Sequence, residues 1–449
     1  MDAGRAREIY FDALSAALFA GRFAKSGSVV DAAKAARSAS PSSRPGAWDL
    51  LLDGLTAVIT EGPSVGVPTL KRALSVLRDE PVGAVEPLSW LWLADRAAGF
   101  IWDYDTWDAL TSRQIQLARD AGALTVLPMT LSTRSVLHLL AGELSVAASM
   151  VEEVEAIIGA TESRTVTYAP LTLAAFRGRE AEAARLIQGR ANDFIARGEG
   201  MGLTHTHWAT AALCNGLARY EDALAAAERA YEDPRELSFS TWATVELIEA
   251  ASRSGKPERA ANALDALAET TQAAGTDWGL AVEARSRALL SPDDRAEVFY
   301  REAIDRLQHT RLRVDLARAH LVYGEWLRRE RRRLDAREQL GVAYDLFTDF
   351  GMEAFDERAR IELRATGQHA RKRNVETRDD LTAQEAFISR LAAQGATNQE
   401  IAAQLFISPR TVEYHLRKTF RKLDVKSRTQ LAHRLQQQDV RGEAAIRQS

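Results

Sequence analysis

A single cysteine, Cys214, stands in a chain of 449 residues. That scarcity excludes a disulfide framework and a cysteine-based zinc site, and it fits a reducing, cytoplasmic setting. Long apolar runs are missing as well. The stretch from Leu14 to Ala24 has the length of a signal-peptide core, but Asp2, Glu8 and Asp12 stand where a basic leader belongs. No run approaches the roughly 18 residues needed to span a bilayer, so the stretch reads as an ordinary amphipathic helix and no membrane partner is expected. Strand signals are nearly absent, which excludes the alternating strands and helices of a phosphoacceptor receiver domain. No segment fits G-x-x-x-x-G-K-[ST], the loop whose N–H groups and lysine hold phosphates. Gly62-Pro63-Ser64-Val65-Gly66 runs into Val67-Pro68, Gly198-Glu199-Gly200-Met201-Gly202 runs into Leu203, and both read as loops. No nucleophile, base and oxyanion-hole set is visible either, so neither an enzyme nor a cofactor is predicted.

What the chain has in abundance is alanine at helical spacing. An Ala, an apolar or small residue four positions on, and another three further recur at Ala147/Val151/Val154, Ala223/Ala227/Ala230, Ala260/Leu264/Leu267, Ala296/Tyr300/Ala303 and Ala336/Leu340/Ala343, while Ala183/Ile187 ends on Arg190. The leading alanines are 36, 40, 37, 36 and 40 residues apart. A period of about 34 to 45 residues with two helices per unit indicates a tetratricopeptide-like helical-hairpin solenoid; a plain helical bundle, the competing reading, has no reason to space its copies evenly. Gly142, Gly178 and Gly255 fall at the expected turns between helices, and Tyr220 and Pro234 bracket the clearest copy. Toward the N-terminus the period weakens.

The last stretch differs in charge and in pattern. From Arg371 to Leu435 there are 13 Arg and Lys against 7 Asp and Glu, a net charge of +6, leaving 45 against 55, or −10, on the remainder. A basic pole on an acidic protein is the electrostatic footprint of a polyanion-binding domain. Thr382-Ala383-Gln384-Glu385 and Thr397-Asn398-Gln399-Glu400 fit the capping box, and Ser408-Pro409 supplies an N-cap hydroxyl followed by proline at the first helical position. Only Phe406 and Ile407 separate the second helix from the third, which is helix-turn-helix spacing. At 100° per residue, Val412, Leu416, Phe420 and Leu423 share one face of the third helix and should pack on Ile388, Leu391, Ile401 and Leu405. Arg410, Glu413, Tyr414, Arg417 and Arg421 cluster opposite.

Gln384-Glu385, Asn398-Gln399-Glu400-Ile401-Ala402, Leu405, Ser408-Pro409-Arg410-Thr411-Val412-Glu413-Tyr414-His415-Leu416, Lys422-Leu423 and Ser427-Arg428 closely resemble the C-terminal domain of LuxR-type transcription regulators. The resemblance implies a four-helix domain whose third helix enters the major groove of double-stranded DNA and whose fourth, about Ser427 to Gln437, forms a homodimer seam. It implies that Glu413, Tyr414 and Arg417 face base edges. Arg417 suits guanine O6 and N7, and Glu413 suits cytosine N4 or, alternatively, braces Arg417 one turn away. Arg410, Thr411, His415, Lys418, Arg421, Lys426 and Arg428 are the candidate phosphate contacts. The segments Ile9 to Leu14, Trp242 to Leu247, Tyr323 to Arg337 and Val375 to Asp380 resemble the large ATP-binding regulators of the same family, whose ATPase domain is missing from this chain. ATP-gated assembly is therefore not expected here.

The whole reads as an all-α chain: a helical-repeat sensor or interaction domain over residues 1–365, a polar hinge over 366–380, and a LuxR-type helix-turn-helix domain over 381–440. The expected role is a regulator that binds a pseudo-palindromic operator as a homodimer, contacts an effector through the repeats, and can reach RNA polymerase. The alternative is a scaffold or antagonist that pairs with full-length relatives. Three further features stay open on sequence alone. His205-Thr206-His207 has the spacing of two metal ligands but lacks a third, so a structural role and no metal are expected. The run Arg328 to Arg333 reads as an exposed helix face. Trp90, Trp92, Trp102 and Trp107, with Trp208, Trp242 and Trp278 recurring in later units, either pack between hairpins or line a ligand-binding concave face.

Overall fold

The computed structural model describes residues 3–24, 28–38, 45–79, 88–161, 167–292, 294–367, 383–405, 409–423, 425 and 427–434. Among the described residues there is no strand. Helices α1 (Ala3–Ala20) and α2 (Val29–Ser38) lead into a row of antiparallel pairs: α3 (Ala47–Glu61) with α4 (Pro63–Asp79), α5 (Leu88–Phe100) with α6 (Tyr104–Asp120), α7 (Leu127–Leu140) with α8 (Leu144–Thr161), and α9 (Ala169–Arg177) with α10 (Glu180–Arg197). The row continues with α11 (Gly200–Gly216) and α12 (Tyr220–Ala230), α13 (Phe239–Arg253) and α14 (Pro257–Ala274), α15 (Asp277–Leu290) and α16 (Asp294–Gln308), and α17 (Arg313–Arg329) and α18 (Arg333–Phe350). Helix α19 (Glu353–Ala365) closes it, and α20 (Ala383–Ala393), α21 (Asn398–Leu405) and α22 (Pro409–Leu423) form the C-terminal module.

The alanine period marks the second helix of each pair. Ala147, Ala183, Ala223, Ala260, Ala296 and Ala336 lie in the first turn or so of α8, α10, α12, α14, α16 and α18, and each is fully buried. A methyl side chain there lets the returning helix approach its partner closely. Most of the turns within pairs share one device, absent after α15 where Ser291 is extended: a residue of left-handed backbone follows the first helix of the pair. Gly142 and Gly255 fill it after α7 and α13 with φ of 79° and 68°, at no steric cost. The bulkier Trp102, Ala218 and Arg331 fill it after α5, α11 and α17 with φ of 58°, 57° and 63°.

First helices stack on first helices, α7 on α9 on α11 on α13 on α15, so they are buried on nearly every side while the second helices keep one wet face. The row also winds back on itself. Helix α1 meets α11, α4 meets α14, α7 meets α17, and α19 meets α9 and α11. An open solenoid would leave a broad concave groove; here that groove is filled, and one continuous apolar core runs from Phe11 to Leu363.

Two readings of the sequence are corrected. The glycine stretches are not simply loops: Gly66 lies inside α4, and Gly200 and Gly202 inside α11. A Cβ on Gly66 would run into Val58, and one on Gly54 would come 2.7 Å from Leu70, so these glycines serve the tight crossing of α3 and α4. The arginine run is not one helix face, because it spans the α17–α18 turn: Arg329, Arg331 and Arg333 are exposed as expected, while Arg328 pairs with Glu362 at 2.5 Å and Arg332 with Glu297 and Asp335 at 2.6 Å.

Charged groups are carried into the interior on the first helices. Arg318 of α17 binds both oxygens of Glu246 at 2.5 and 2.8 Å and Glu249 at 2.8 Å, while Arg358 of α19 binds Glu249 at 2.7 Å and Glu325 at 2.8 Å. Arg253 also pairs with Glu325, and Asn215 donates to Glu246 at 2.8 Å. Arg358 reaches across to the carbonyl of Asn215 at 2.9 Å, closing the ring of helices.

Asp95 is a different kind of buried acid. It lies 3% exposed on α5, and burial pushes its pKa up to about 8, only partly offset by Gln114, Arg96 and Arg134. The folded chain therefore holds a proton that the unfolded chain releases near pH 4, so this group's contribution to stability falls as pH rises from about 4 to about 8. His205 works in the opposite direction: burial holds its pKa down to about 3, and stability falls as pH drops below about 6.5. Replacing Asp95 by Asn should remove the alkaline loss, raising stability at pH 8.5 by on the order of a few kcal/mol relative to wild type. Thermal melts at pH 5.5 and 8.5 should show the gap closing in the variant; an unchanged gap would contradict the assignment.

Candidate nucleic-acid interface

The C-terminal module is built by its caps. Thr397 donates its backbone N–H to Glu400 Oε2 at 2.7 Å and receives the Glu400 N–H on its hydroxyl at 3.2 Å, a complete capping box that starts α21. These bonds hold the Glu400 carboxyl below the usual carboxylate range. Ser427 caps the last helix, residues 428–434, by accepting from the Gln430 N–H at 3.2 Å. The expected caps Thr382 and Ser408, the turn residues Phe406 and Ile407, and the hinge beyond Gly367 lie outside the described residues.

Ile388, Ile401, Val412, Leu416, Leu423 and Leu431 are buried together, with Leu391 and Phe420 packed against them. This is the apolar face the helical spacing predicted for α22, except that the side chain of the expected partner Leu405 lies outside those described, and Ser389 of α20 adds a hydrogen bond to Thr419 at 3.2 Å. Opposite it, Glu413 and Arg417 stand exposed and pair with each other at 2.9 Å. Arg417 is 77% exposed, so this one-turn pair orders the guanidinium without sequestering it.

The expected phosphate contacts divide. The backbone of α22 is described, but the side chains of Arg410, Thr411, Tyr414, Lys418 and Arg421 are not, and Lys426 lies outside the described residues altogether. Two others are placed differently from the expectation. His415 is 2% exposed, because at 100° per residue it falls beside Val412 and Thr419 rather than on the outer face. The Arg428 guanidinium turns inward and donates to the Ala396 carbonyl and to Asn398 Oδ1, tying the last helix to the α20–α21 turn.

The metal reading of His205 and His207 finds no support in geometry. His205 shares a 2.7 Å hydrogen bond with Thr172 and stacks on Tyr168 at 4.9 Å, and among the described residues no group of three or more His, Cys, Asp and Glu is placed to hold a metal. Among those residues, too, no helix is long and apolar enough to cross a membrane.

One contact had no signal in the sequence. Val146 and Met150, on the outer side of α8, are 0% and 2% exposed because they join the apolar cluster of the C-terminal module. Further along α8, Glu153, Ala156 and Ile157 share a groove with Leu124 and with Pro409, the first residue of α22. The module is thus seated on the repeat domain with Glu413 and Arg417 left open to solvent.

Residues 379–435 match the family of bacterial regulatory proteins of the luxR type. The C-terminal module is a luxR-family domain. Over 65 residues it is 43% identical to a putative HTH-type transcriptional regulator of Mycobacterium tuberculosis, covering 14% of this chain and 7% of that protein. It is 52% identical over 50 residues to the nitrate/nitrite response regulator protein homolog of Haemophilus influenzae, covering 11% and 24% of the two chains. It is also 44% identical over 59 residues to the transcriptional regulatory protein LiaR of Bacillus subtilis, covering 13% and 28%. These matches cover 11 to 14% of this chain, and the chain spans 7 to 28% of the length of those proteins.

If Val146 and Met150 hold the luxR-type domain in place, a carboxylate there must eject it, since burying that charge unpaired costs several kcal/mol. Met150→Glu should raise the radius of gyration measured by small-angle X-ray scattering while the melting of the repeat domain stays within a few degrees. An unchanged scattering profile would show that α8 does not hold the module.

Proposed function

We propose that this chain is a DNA-binding transcription regulator in which the repeat domain receives a signal and the luxR-type domain delivers it to an operator. The observation that carries the reading is the two-faced helix α22: its apolar side is locked into the module's core while Glu413 and Arg417 stand paired and exposed on the other. An ordered arginine beside a carboxylate can offer two parallel N–H donors to guanine in the major groove, with the carboxylate free to accept from cytosine N4. In this reading Tyr414 is the third base-facing position. Arg410, Thr411, Lys418, Arg421 and Lys426 supply the phosphate contacts that fix register. In this reading His415 and Arg428 hold the module's shape, and the last helix offers its exposed Thr429, Gln430 and His433 to a second copy. A two-fold dimer then reads two half-sites, which makes the operator pseudo-palindromic. The +6 charge from Arg371 to Leu435, set against −10 on the remainder, directs DNA to one end of the molecule.

Base reading and phosphate binding separate under mutation. Arg417→Ala should cost about 1 to 3 kcal/mol on the preferred duplex and relax preference at one base pair in each half-site. Lys418→Ala should weaken all duplexes alike and lower the slope of log affinity against log salt by about one unit. Fluorescence anisotropy against a set of single-base operator variants measures both. Equal loss on every sequence for Arg417→Ala would remove it from base reading.

A further inference from the structure

The tryptophans of the repeats pack on one another, Trp102 on Trp278 at 4.9 Å and Trp242 on Trp208 at 5.3 Å, and leave only about 40 Å³ between them. A roomier cleft is lined by α3, α13 and α14. It offers about 350 Å³, more than twice the roughly 150 Å³ of an engineered cavity that admits benzene. Val58 and Ile59 of α3, Phe100 at the end of α5 and Leu237 before α13 give it an apolar wall. That is the size and the lining of a small-molecule site.

Two opposite charges line this cleft without answering one another. Arg235 comes from the 3-10 turn Pro234–Glu236 and Glu269 from α14. Both are exposed, and neither side chain makes an ion pair or a hydrogen bond among the described residues. By contrast, exposed Arg219 pairs with Glu180 and Asp222, and exposed Arg259 with Glu228. Tyr231, Thr241 and Thr270 also line the cleft, and their hydroxyls have no hydrogen-bond partner among the described residues, although Thr241 and Thr270 are only 6% and 3% exposed. The other two lining hydroxyls are spent, Thr60 on the Thr56 carbonyl at 2.7 Å and Thr244 on the Thr241 carbonyl at 2.6 Å.

The wall that carries Arg235 is strained. Leu237 has φ 59° and ψ 160°, and Ser238 has φ 55° and ψ −84°, adjacent conformations that are rare for residues with a Cβ and that cluster at ligand clamps and switch segments. The segment is pinned along its length. Asp233 Oδ1 accepts from the Arg235 N–H at 3.2 Å, Glu236 turns away to accept from Thr204, and Ser238 Oγ donates to the Arg96 carbonyl at 2.8 Å. Glu269 is placed by a glycine. A Cβ on Gly62 would stand 3.0 Å from Glu269 Oε1, and Gly62 has φ 99°, so the turn beside that carboxylate is reserved for glycine.

We propose that this cleft binds a free α-amino acid with an apolar side chain. Its carboxylate accepts from the Arg235 guanidinium, its ammonium donates to the Glu269 carboxylate, and the unspent hydroxyls take up the remaining donors and acceptors. Its side chain lies against Val58, Ile59, Phe100 and Leu237. A ligand of single charge leaves one of the two lining charges unanswered, and a neutral ligand leaves both. The site stands on its own geometry; that its ligand is the signal rests on the reading of the repeat domain as the receiving end.

Isothermal titration calorimetry on the full chain with L-phenylalanine, phenethylamine and 3-phenylpropanoate tests it, because the second and third each lack one charge of the first. L-phenylalanine should bind once per chain, about tenfold or more tightly than either analogue. Glu269→Gln should weaken L-phenylalanine about tenfold without weakening 3-phenylpropanoate, and Arg235→Gln should weaken it as much without weakening phenethylamine. Both side chains are exposed, so the variants should melt with the wild type. No L-phenylalanine binding, equal affinity for either analogue, or unchanged L-phenylalanine affinity in the two variants would overturn the proposal. Anisotropy with duplex DNA on the same preparation separates the two readings. L-phenylalanine binding without any DNA binding supports the cleft and removes the regulator, whereas DNA binding without L-phenylalanine binding overturns the cleft alone.

Discussion

The repeat domain depends on a charge lattice buried where its first helices meet. Glu246 and Glu249 on α13, Arg318 and Glu325 on α17 and Arg358 on α19 are each 2 to 7% exposed, and with Arg253, Arg285 and Asp315 they amount to four cations against four anions. Taking any one of these out of water alone would cost several kcal/mol. Held together, each charge has its counter-ion and most of its hydrogen bonds, so the Glu249 and Glu325 carboxyls sit below their usual range despite burial. Such a lattice adds little net stability over an apolar core of the same shape. What it does is restrict register: helices α11, α13, α15, α17 and α19 can meet only where all the pairs form.

That restriction explains the closed winding. Arg358 reaches from the last repeat helix to Glu249 and to the Asn215 carbonyl on α11, pulling the end of the row onto its middle. Closure leaves the aromatic layer next to the lattice, and Trp278 and Arg285 share Asp315 as the joint between them. The luxR-type domain is seated on α8, the second helix of the pair that begins with α7, and α7 also contacts α17. The lattice and the seat of the luxR-type domain are therefore parts of one packed body.

Much of this was legible in the residues. The six alanines mark close helix approach and nothing else does so at that spacing, so the hairpins could be read directly; the capping box at Thr397 and the two faces of α22 were equally plain. The lattice was not legible, because a charged residue in a helix reads as solvent-facing unless its partner, 69 residues away for Arg318 and Glu249, is known. Closure was hidden for the same reason, and the concave groove expected of an open solenoid is filled. His415 and Arg428 were expected among the phosphate contacts. Helical phase turns the first inward, and the second meets a carbonyl and an amide that only the folded module brings near. The seat on α8 had no sequence signal, since Val146 and Met150 look like any apolar residues of a second helix.

The central claim is that an ordered, exposed pair on α22 reads DNA as one half of a symmetric whole. Selection of bound duplexes from a random-sequence library by the full chain measures it most directly. The account predicts enrichment of an inverted repeat with half-sites about one helical turn apart, lost when Arg417 is replaced. Recovery of duplexes with no common sequence, or of a single unrepeated site, would contradict it.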